Sequence, residues 1–270
     1  MKDNFVVLVT GASSGFGKET AEYLSKKGYK VYGSSRKCIN GEKRGLFTMV
    51  NMDVTEEESV KDAVNYILNR EGKIDVLYNN AGMGISGSIE DTTLEEAKQI
   101  FETNFFGMMR VTRAVLPNMR RMGQGYIINT SSIGGIIGLP FQGLYSASKF
   151  AVEGFTEALS KEVKGFGIKV CIIEPGDFKT GFTANRRYVK NSGEGSAYRE
   201  AFIKNMNFVE CEENNGCEPV EMAKVIYKII NTKNPRLRYK IGFKSQKLAA
   251  SLKKFLPERF YEDMVIRFYS

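Results

Sequence analysis

Tyr145 and Lys149 stand four residues apart in Tyr145-Ser146-Ala147-Ser148-Lys149, Ser132 lies thirteen residues upstream, and the 270-residue chain contains no histidine. On a helix, positions i and i+4 share a face, so the phenol and the ammonium can share one pocket. A free tyrosine titrates near 10, too high for efficient proton exchange at neutral pH, and an adjacent cation lowers that value by favouring the phenolate. With histidine absent, the commonest acid/base side chain is excluded by composition. The pattern offers proton exchange with an oxygen atom, as an oxidoreductase needs. The same spacing also occurs on ordinary helix surfaces, so the rest of the chain has to decide between the two.

Glycines at 11, 15 and 17 fall between an apolar run and a helical segment in Gly11-Ala12-Ser13-Ser14-Gly15-Phe16-Gly17. Such a turn lets backbone approach a pyrophosphate at a helix N-terminus. Gly17 is followed by Lys18-Glu19, without the Lys-Ser/Thr of a P-loop. Dinucleotide folds place an acid on the ribose 2′-hydroxyl, or a base on the 2′-phosphate, about twenty residues further on. Here the next strand ends Ser34-Ser35-Arg36-Lys37, and no acid occurs between Tyr23 and Gly41. A charge-assisted bond from Arg36 to the phosphate contributes roughly 1.5 to 3 kcal/mol, which makes NADP(H) the expected cofactor over NAD(H).

These groups need a scaffold, and the chain supplies alternating elements. Apolar runs at Phe5–Thr10, Lys30–Ser35, Phe47–Asn51, Asp75–Tyr78, Gly125–Thr130, Ile168–Glu174 and Tyr239–Gly242 read as strands. Helical patterns fall at 19–27, 57–70, 94–122, about 145–165 and 219–230; the third contains Gly107 and Pro117, where a helix bends or breaks. The predicted fold class is α/β: a Rossmann-type, doubly wound parallel sheet of about seven strands with helices on both faces, in one domain over residues 1–270. Met1 runs directly into the first strand, which argues against a signal peptide. From Asp177 to Gly216 periodicity fails in favour of Phe, Tyr, Met, Asn and Gly, as in a substrate loop or lid. Residues 244–270 read as a basic helical tail interrupted at Pro257.

Together these residues resemble the short-chain dehydrogenase/reductase family in its single-domain form. The resemblance rests on Thr10 to Gly17, Asn79-Asn80-Ala81-Gly82, Thr103-Asn104-Phe105-Phe106-Gly107, Ser132, Tyr145, Lys149, and Pro175-Gly176 followed by Thr180. It covers residues 10–180 in family order and fits the tail only loosely. It implies that Tyr145 exchanges a proton with the substrate oxygen and that Ser132 polarises the carbonyl, with Ser131 as its near rival. Lys149 would lower the tyrosine pKa and hold the nicotinamide ribose, and Asn104 would anchor a water linking Lys149 to solvent. Cofactor contacts are implied for Gly11, Ser13, Ser14, Gly15, Phe16, Gly17, Ser35, Arg36, Asp53, Val54, Asn80, Ala81, Gly82, Tyr145, Lys149, Pro175, Gly176 and Thr180. Gly138-Leu139-Pro140-Phe141 and Tyr145–Phe155 further resemble the hydroxysteroid and retinol dehydrogenase branch, although its steroid-binding members often add a loop histidine that is missing here. That places Leu139, Phe141, Phe178, Phe182, Tyr188, Phe202, Met206 and Phe208 as an apolar pocket for a lipophilic alcohol or ketone; the same aromatics would equally pack the loop down. Nucleotide-sugar epimerases share the Tyr and Lys pair but usually show a different glycine spacing and a longer C-terminal domain.

Net charge is +8, and twelve Lys/Arg against three Asp/Glu lie from Lys224 to Ser270, leaving −1 for everything before. This tail is expected to pack on the body or a partner subunit, with contact to an anionic membrane surface as the second use. Nucleic acid is not an expected partner, and a homodimer or homotetramer is. Four scattered cysteines fit a reducing, cytoplasmic setting, and Cys211 with Cys217 lacks the further ligands of a metal site. An alternative function is a non-catalytic NADP-binding sensor that docks through the tail, but such a module needs none of the proton-transfer groups.

Overall fold

The structure is a computed structural model that describes residues 5–269; Met1 to Asn4 and Ser270, the ends of the expected domain and tail, lie outside it. Its strands are β1 Val6–Val9, β2 Lys30–Ser35, β3 Lys43–Arg44, β4 Phe47–Asn51, β5 Val76–Asn79, β6 Ile85–Ser86, β7 Gly125–Thr130, β8 Ile168–Pro175, β9 Arg187–Tyr188 and β10 Arg238–Ile241. The helices are α1 Gly15–Lys26, α2 Glu57–Glu71, α3 Leu94–Phe101, α4 Met108–Met122, α5 Gly143–Glu162, α6 Arg199–Asn214, α7 Val220–Ile230, α8 Lys244–Leu252 and α9 Glu258–Tyr269.

The main sheet runs β10-β8-β7-β5-β1-β2-β4-β3. The seven expected strands are its parallel members, and β3 is an addition, a two-residue antiparallel edge on β4. Continuous apolar strands follow from two covered faces. In β1, Val7 and Val9 pack toward α1 and α7, and Val6 and Leu8 toward α2 and α4. Strand order reverses between β1 and β5, so a crevice opens there at the carboxyl ends of the strands.

Two local features differ from the expectation, and the tail follows it. The Leu94–Met122 stretch neither breaks at Gly107 nor at Pro117, but between α3 and α4 it widens into a π-helix over Glu102–Gly107. The 177–216 loop contains the sixteen-residue α6. Its buried face, Phe202, Asn205, Met206 and Val209, includes a polar residue that breaks the apolar pattern. Near its start the loop is tied down by β9 pairing with β6 and by Lys190 N–H donating to Glu96 Oε1 at 3.0 Å. The tail forms α8 and α9 on either side of Pro257, and it packs on the body: Ala250, Tyr261 and Val265 are buried against Ile133 and Ile137. No helix of the described residues is long and apolar enough to cross a membrane.

Candidate active site

The first wall of the crevice is built by close backbone approach. Gly11 has φ +68°, and a Cβ on it would stand 2.9 Å from Ala81 Cα. A Cβ on Gly17 would stand 2.4 Å from the Gly11 carbonyl oxygen. Asn80 locks this arrangement, its Nδ2 donating to the carbonyls of Thr10 and Gly11 at 2.9 and 3.2 Å, while Thr10 Oγ1 accepts from the Asn80 and Ala81 amides at 2.9 Å. The α1 N-terminus opens beside Ser13, Ser14, Gly15 and Phe16 with no acid in its first turn, so its positive end is uncompensated. Thr180 faces this turn, with its Cβ 3.7 Å from where a Cβ on Gly15 would be.

Ser35, Arg36 and Lys37 lie at the end of β2 on the same crevice, and the β3 edge brings Arg44 to it, a cation that nothing in the sequence pattern marked. Arg44 Nε pairs with Glu42 at 3.0 Å. Asn51 Nδ2 donates to the Arg36 carbonyl at 3.1 Å and steadies the turn. Asp53 and Val54 line the crevice after β4, and Asp53 Oδ1 accepts from Thr55 N–H and Oγ1–H at 3.0 and 2.8 Å.

Deeper in, α5 presents Tyr145 and Lys149 on one buried face. Ser132 follows β7, where its Oγ accepts from Gly134 N–H at 3.0 Å; burial pushes the Tyr145 phenol up to about 12 while the Ser132 hydroxyl pulls it down. Its neighbour Ser131 instead turns beneath the helix and donates to the Lys149 carbonyl at 3.5 Å. Lys149 Nζ lies 5.7 Å from the Tyr145 ring centroid and donates to the Thr130 carbonyl at 2.9 Å. Burial pulls the ammonium down to about 8, with Glu153 opposing. Asn104 sits in the π-helix, where its Oδ1 accepts from Met83 N–H at 2.8 Å and its Nδ2 donates to the Met83 carbonyl and Ser148 Oγ at 3.0 and 3.1 Å. Gly82 separates it from the ammonium: a Cβ there would lie 3.2 Å from Asn104 Oδ1 and 3.8 Å from Lys149 Nζ.

The two walls enclose one cleft of about 940 Å³ that reaches from Arg36 to Tyr145, past Pro175 and Gly176 at the end of β8. Of the expected pocket residues, Leu139, Phe178, Phe182 and Phe208 stand on it. Phe178 packs edge-on to Phe16, on the glycine-turn side, and Phe182 lies 5.8 Å from Tyr145 between ring centroids. Phe141, Tyr188, Phe202 and Met206 do not line it. Phe202 packs on Phe141 at 5.7 Å and on Tyr188 at 5.3 Å, and with Met206 and Val209 these side chains anchor α6. Other lining groups went unseen in the sequence: Val209, Glu212 and Glu213 from α6, Gln246 from α8, and Phe268 and Tyr269 from α9. The signal for the α6 group was the spacing 205, 209, 212 and 213, which only a recognised helix makes visible.

This geometry joins an open backbone cradle with cations to a buried phenol, hydroxyl and ammonium, an arrangement suited to holding a dinucleotide against a carbonyl or alcohol. The chain is 49% identical over 265 residues to a 3-ketodihydrosphingosine reductase of Bacteroides thetaiotaomicron, covering 98% of each chain. It is 36% identical to retinol dehydrogenase 8 of Bos taurus over 252 residues, which is 86% of this chain and 80% of that one. The crystal structure of a short-chain dehydrogenase from Streptomyces avermitilis superposes with a TM-score of 0.80 at 33% identity, covering 97% of this chain and 99% of the other. Residues 5–191 match the family model described as short chain dehydrogenase, and with the relatives and the shared fold this makes the chain a member of the short-chain dehydrogenase family.

Proposed function

We propose that this oxidoreductase is NADP(H)-dependent and interconverts a lipophilic ketone and its alcohol. The observation that carries the reading is the convergence of Tyr145, Ser132 and Lys149 at the deep end of a cleft whose other end is a glycine cradle edged by Arg36, Lys37 and Arg44. The cradle has no room for side chains at Gly11 and Gly17, and the donors at the end of β2 are cationic, so the residues fit a phosphorylated dinucleotide. When bound, NADPH supplies the hydride. Ser132 and Tyr145 hold the substrate oxygen, and Tyr145 delivers the proton as charge develops there. Lys149 keeps a positive charge beside the phenol that loses it, and Asn104 fixes the backbone that borders Lys149. Leu139, Phe182, Phe208, Phe268 and Tyr269 provide an apolar wall. The Bacteroides relative is named for reduction of a long-chain ketone, which supports both the direction and the lipophilic substrate.

Purified protein with NADPH and a panel of long-chain and alicyclic ketones should consume the cofactor, followed at its nicotinamide absorbance. Tyr145→Phe should lower kcat by about a thousandfold and leave NADPH binding intact. Unchanged turnover in that variant would remove Tyr145 from proton transfer.

A further inference from the structure

The basic charge at the C-terminal end of the tail is concentrated in one stretch. From Phe243 to Pro257 the chain carries Lys244, Lys247, Lys253 and Lys254 and no acid, whereas α9 opposes Arg259 and Arg267 with Glu258, Glu262 and Asp263. The stretch is α8 and the turn after it, where the Lys254 and Leu256 amides donate to the Ser251 and Leu252 carbonyls at 3.3 and 3.0 Å. Its helix has two unlike faces. Gln246 and Ala250, four residues apart, turn inward: Gln246 Oε1 accepts from Asp177 N–H at 3.2 Å on the wall of the cleft, and Ala250 is buried against Ile133. Lys244 and Leu248, also four apart, turn outward, and Leu248 is 60% exposed. In the turn, Leu252 and Leu256 join the hydrophobic cluster around Ile133 and Ile137, which leaves Phe255 82% exposed, the most exposed large apolar side chain among the described residues. Phe243, just before α8, is exposed as well. Lys253 is held on the body, its Nζ donating to the Ile136 carbonyl at 2.7 Å, whereas Lys244 and Lys254 are exposed, with no carboxylate in ion-pair range among the described residues. A lone exposed leucine is ordinary, but apolar side chains interleaved with lysines and free of acids suit a surface that is both anionic and oily.

We propose that this outer face, made of Phe243, Lys244, Leu248, Lys254 and Phe255, docks on the surface of an anionic lipid bilayer. Two weak forces act together there. Each lysine near such a surface favours binding by about fivefold and an inserted phenylalanine by about tenfold, so that stable attachment needs both. Charge selects the occupant. A second copy of the chain meeting this face across a two-fold axis would bring lysines against lysines, and a nucleic acid would answer the lysines but leave Leu248 in water. Docking itself does not depend on the reductase reading above. Because Gln246 on the inner face of the same helix lines the cleft together with Phe268 and Tyr269, docking sets the cleft one helix diameter, about 10 Å, from the bilayer. On the reductase reading, that gives a lipophilic substrate a short path from the bilayer to Tyr145.

The test is sedimentation of the full chain with vesicles of equal parts phosphatidylglycerol and phosphatidylcholine, and with vesicles of phosphatidylcholine alone. At physiological ionic strength the protein should partition onto the anionic vesicles at least about tenfold better. Lys244→Gln combined with Lys254→Gln should lower the partition coefficient by about twenty-fivefold, and Phe255→Ala by about tenfold. These side chains are exposed, so the denaturation midpoint should not move. Lys98→Gln combined with Lys161→Gln removes the same charge from exposed positions elsewhere and should lower partition by less than about threefold. No partition onto anionic vesicles, equal losses for the two lysine pairs, or partition indifferent to Phe255→Ala overturns the assignment. Light scattering of the chain without vesicles tests the other occupant: an oligomer that Phe255→Ala dissociates gives this face to a second copy and overturns the assignment, and an oligomeric state that it leaves unchanged supports it. None of these readouts uses NADPH consumption, so failure of the reductase reading leaves the outcome intact.

Discussion

Arg36 and Tyr145 illustrate what individual side chains disclose. Both are legible in the sequence because their partners lie close along the chain: Tyr145 by its spacing to Lys149, Arg36 by its position after a strand that follows the glycine turn. Arg36→Asp should weaken NADPH binding by about tenfold to a hundredfold and NADH binding far less, read by cofactor titration of intrinsic fluorescence. Equal losses would remove Arg36 from the phosphate end. Arg44 is not legible, because β3 is two residues long and leaves no periodic trace. Nor do the loop aromatics announce their roles. Phe208 on the cleft and Phe202 in the α6 anchor are alike in type, and only the helix that carries them separates lining from packing.

At the level of elements, Gly107 and Glu174 are the telling positions. Gly107 ends the π-helix where a Cβ would stand 2.7 Å from Val54 Cγ2 and 3.1 Å from the Val54 carbonyl oxygen. Gly107→Ala should therefore destabilise the fold by about 1 to 3 kcal/mol, despite alanine's higher helix propensity, as a lower denaturation midpoint will report. Glu174 is buried in β8 with neither oxygen hydrogen-bonded among the described residues, and Arg238 Nε stands 3.6 Å away. Burial, then the neighbouring Glu153, pushes its carboxyl up to about 7. The folded chain thus holds a proton that the unfolded chain releases above about 4.5. This group's contribution to stability is fully present below that pH and is lost as pH rises through about 7. Glu174→Gln should raise stability by about 2 kcal/mol at pH 8 and by little at pH 5, measured by denaturant titration at both. In sequence Gly107 reads only as a point where a helix bends or breaks and Glu174 is not marked at all, since a glutamate in an apolar run and a glycine in a helical one are visible only as exceptions until their neighbours are known.

For the molecule as a whole, the seven parallel strands and their order-reversal crevice follow from apolar runs alternating with helices, which is why the architecture is readable throughout. The tail is readable as two helices but not as a wall of the cleft, because contacts between residues 130 and 269 leave no mark on local spacing. Ending the chain after Pro257 should expose Ile133 and Ile137, lose the burial of Tyr261 and Val265, and cost roughly 3 to 6 kcal/mol. It should also raise KM for lipophilic ketones more than for small ones, because Phe268 and Tyr269 leave the wall. The π-helix between α3 and α4 has a further consequence for the chain's permissible length. Successive helical residues are turned by about 100°, and a π segment holds one residue more than an α-helix would in the same stretch. Removing a single residue from Glu102–Gly107 would let the segment rewind as a regular α-helix with the two flanking helices still in phase. Val111, Val115 and Met119 would stay in the core, and the displaced side chains would be those of the segment itself, Asn104 with its bonds to Met83 and Ser148 among them. At this joint a residue count, independent of residue identity, keeps the chemistry aligned with the scaffold.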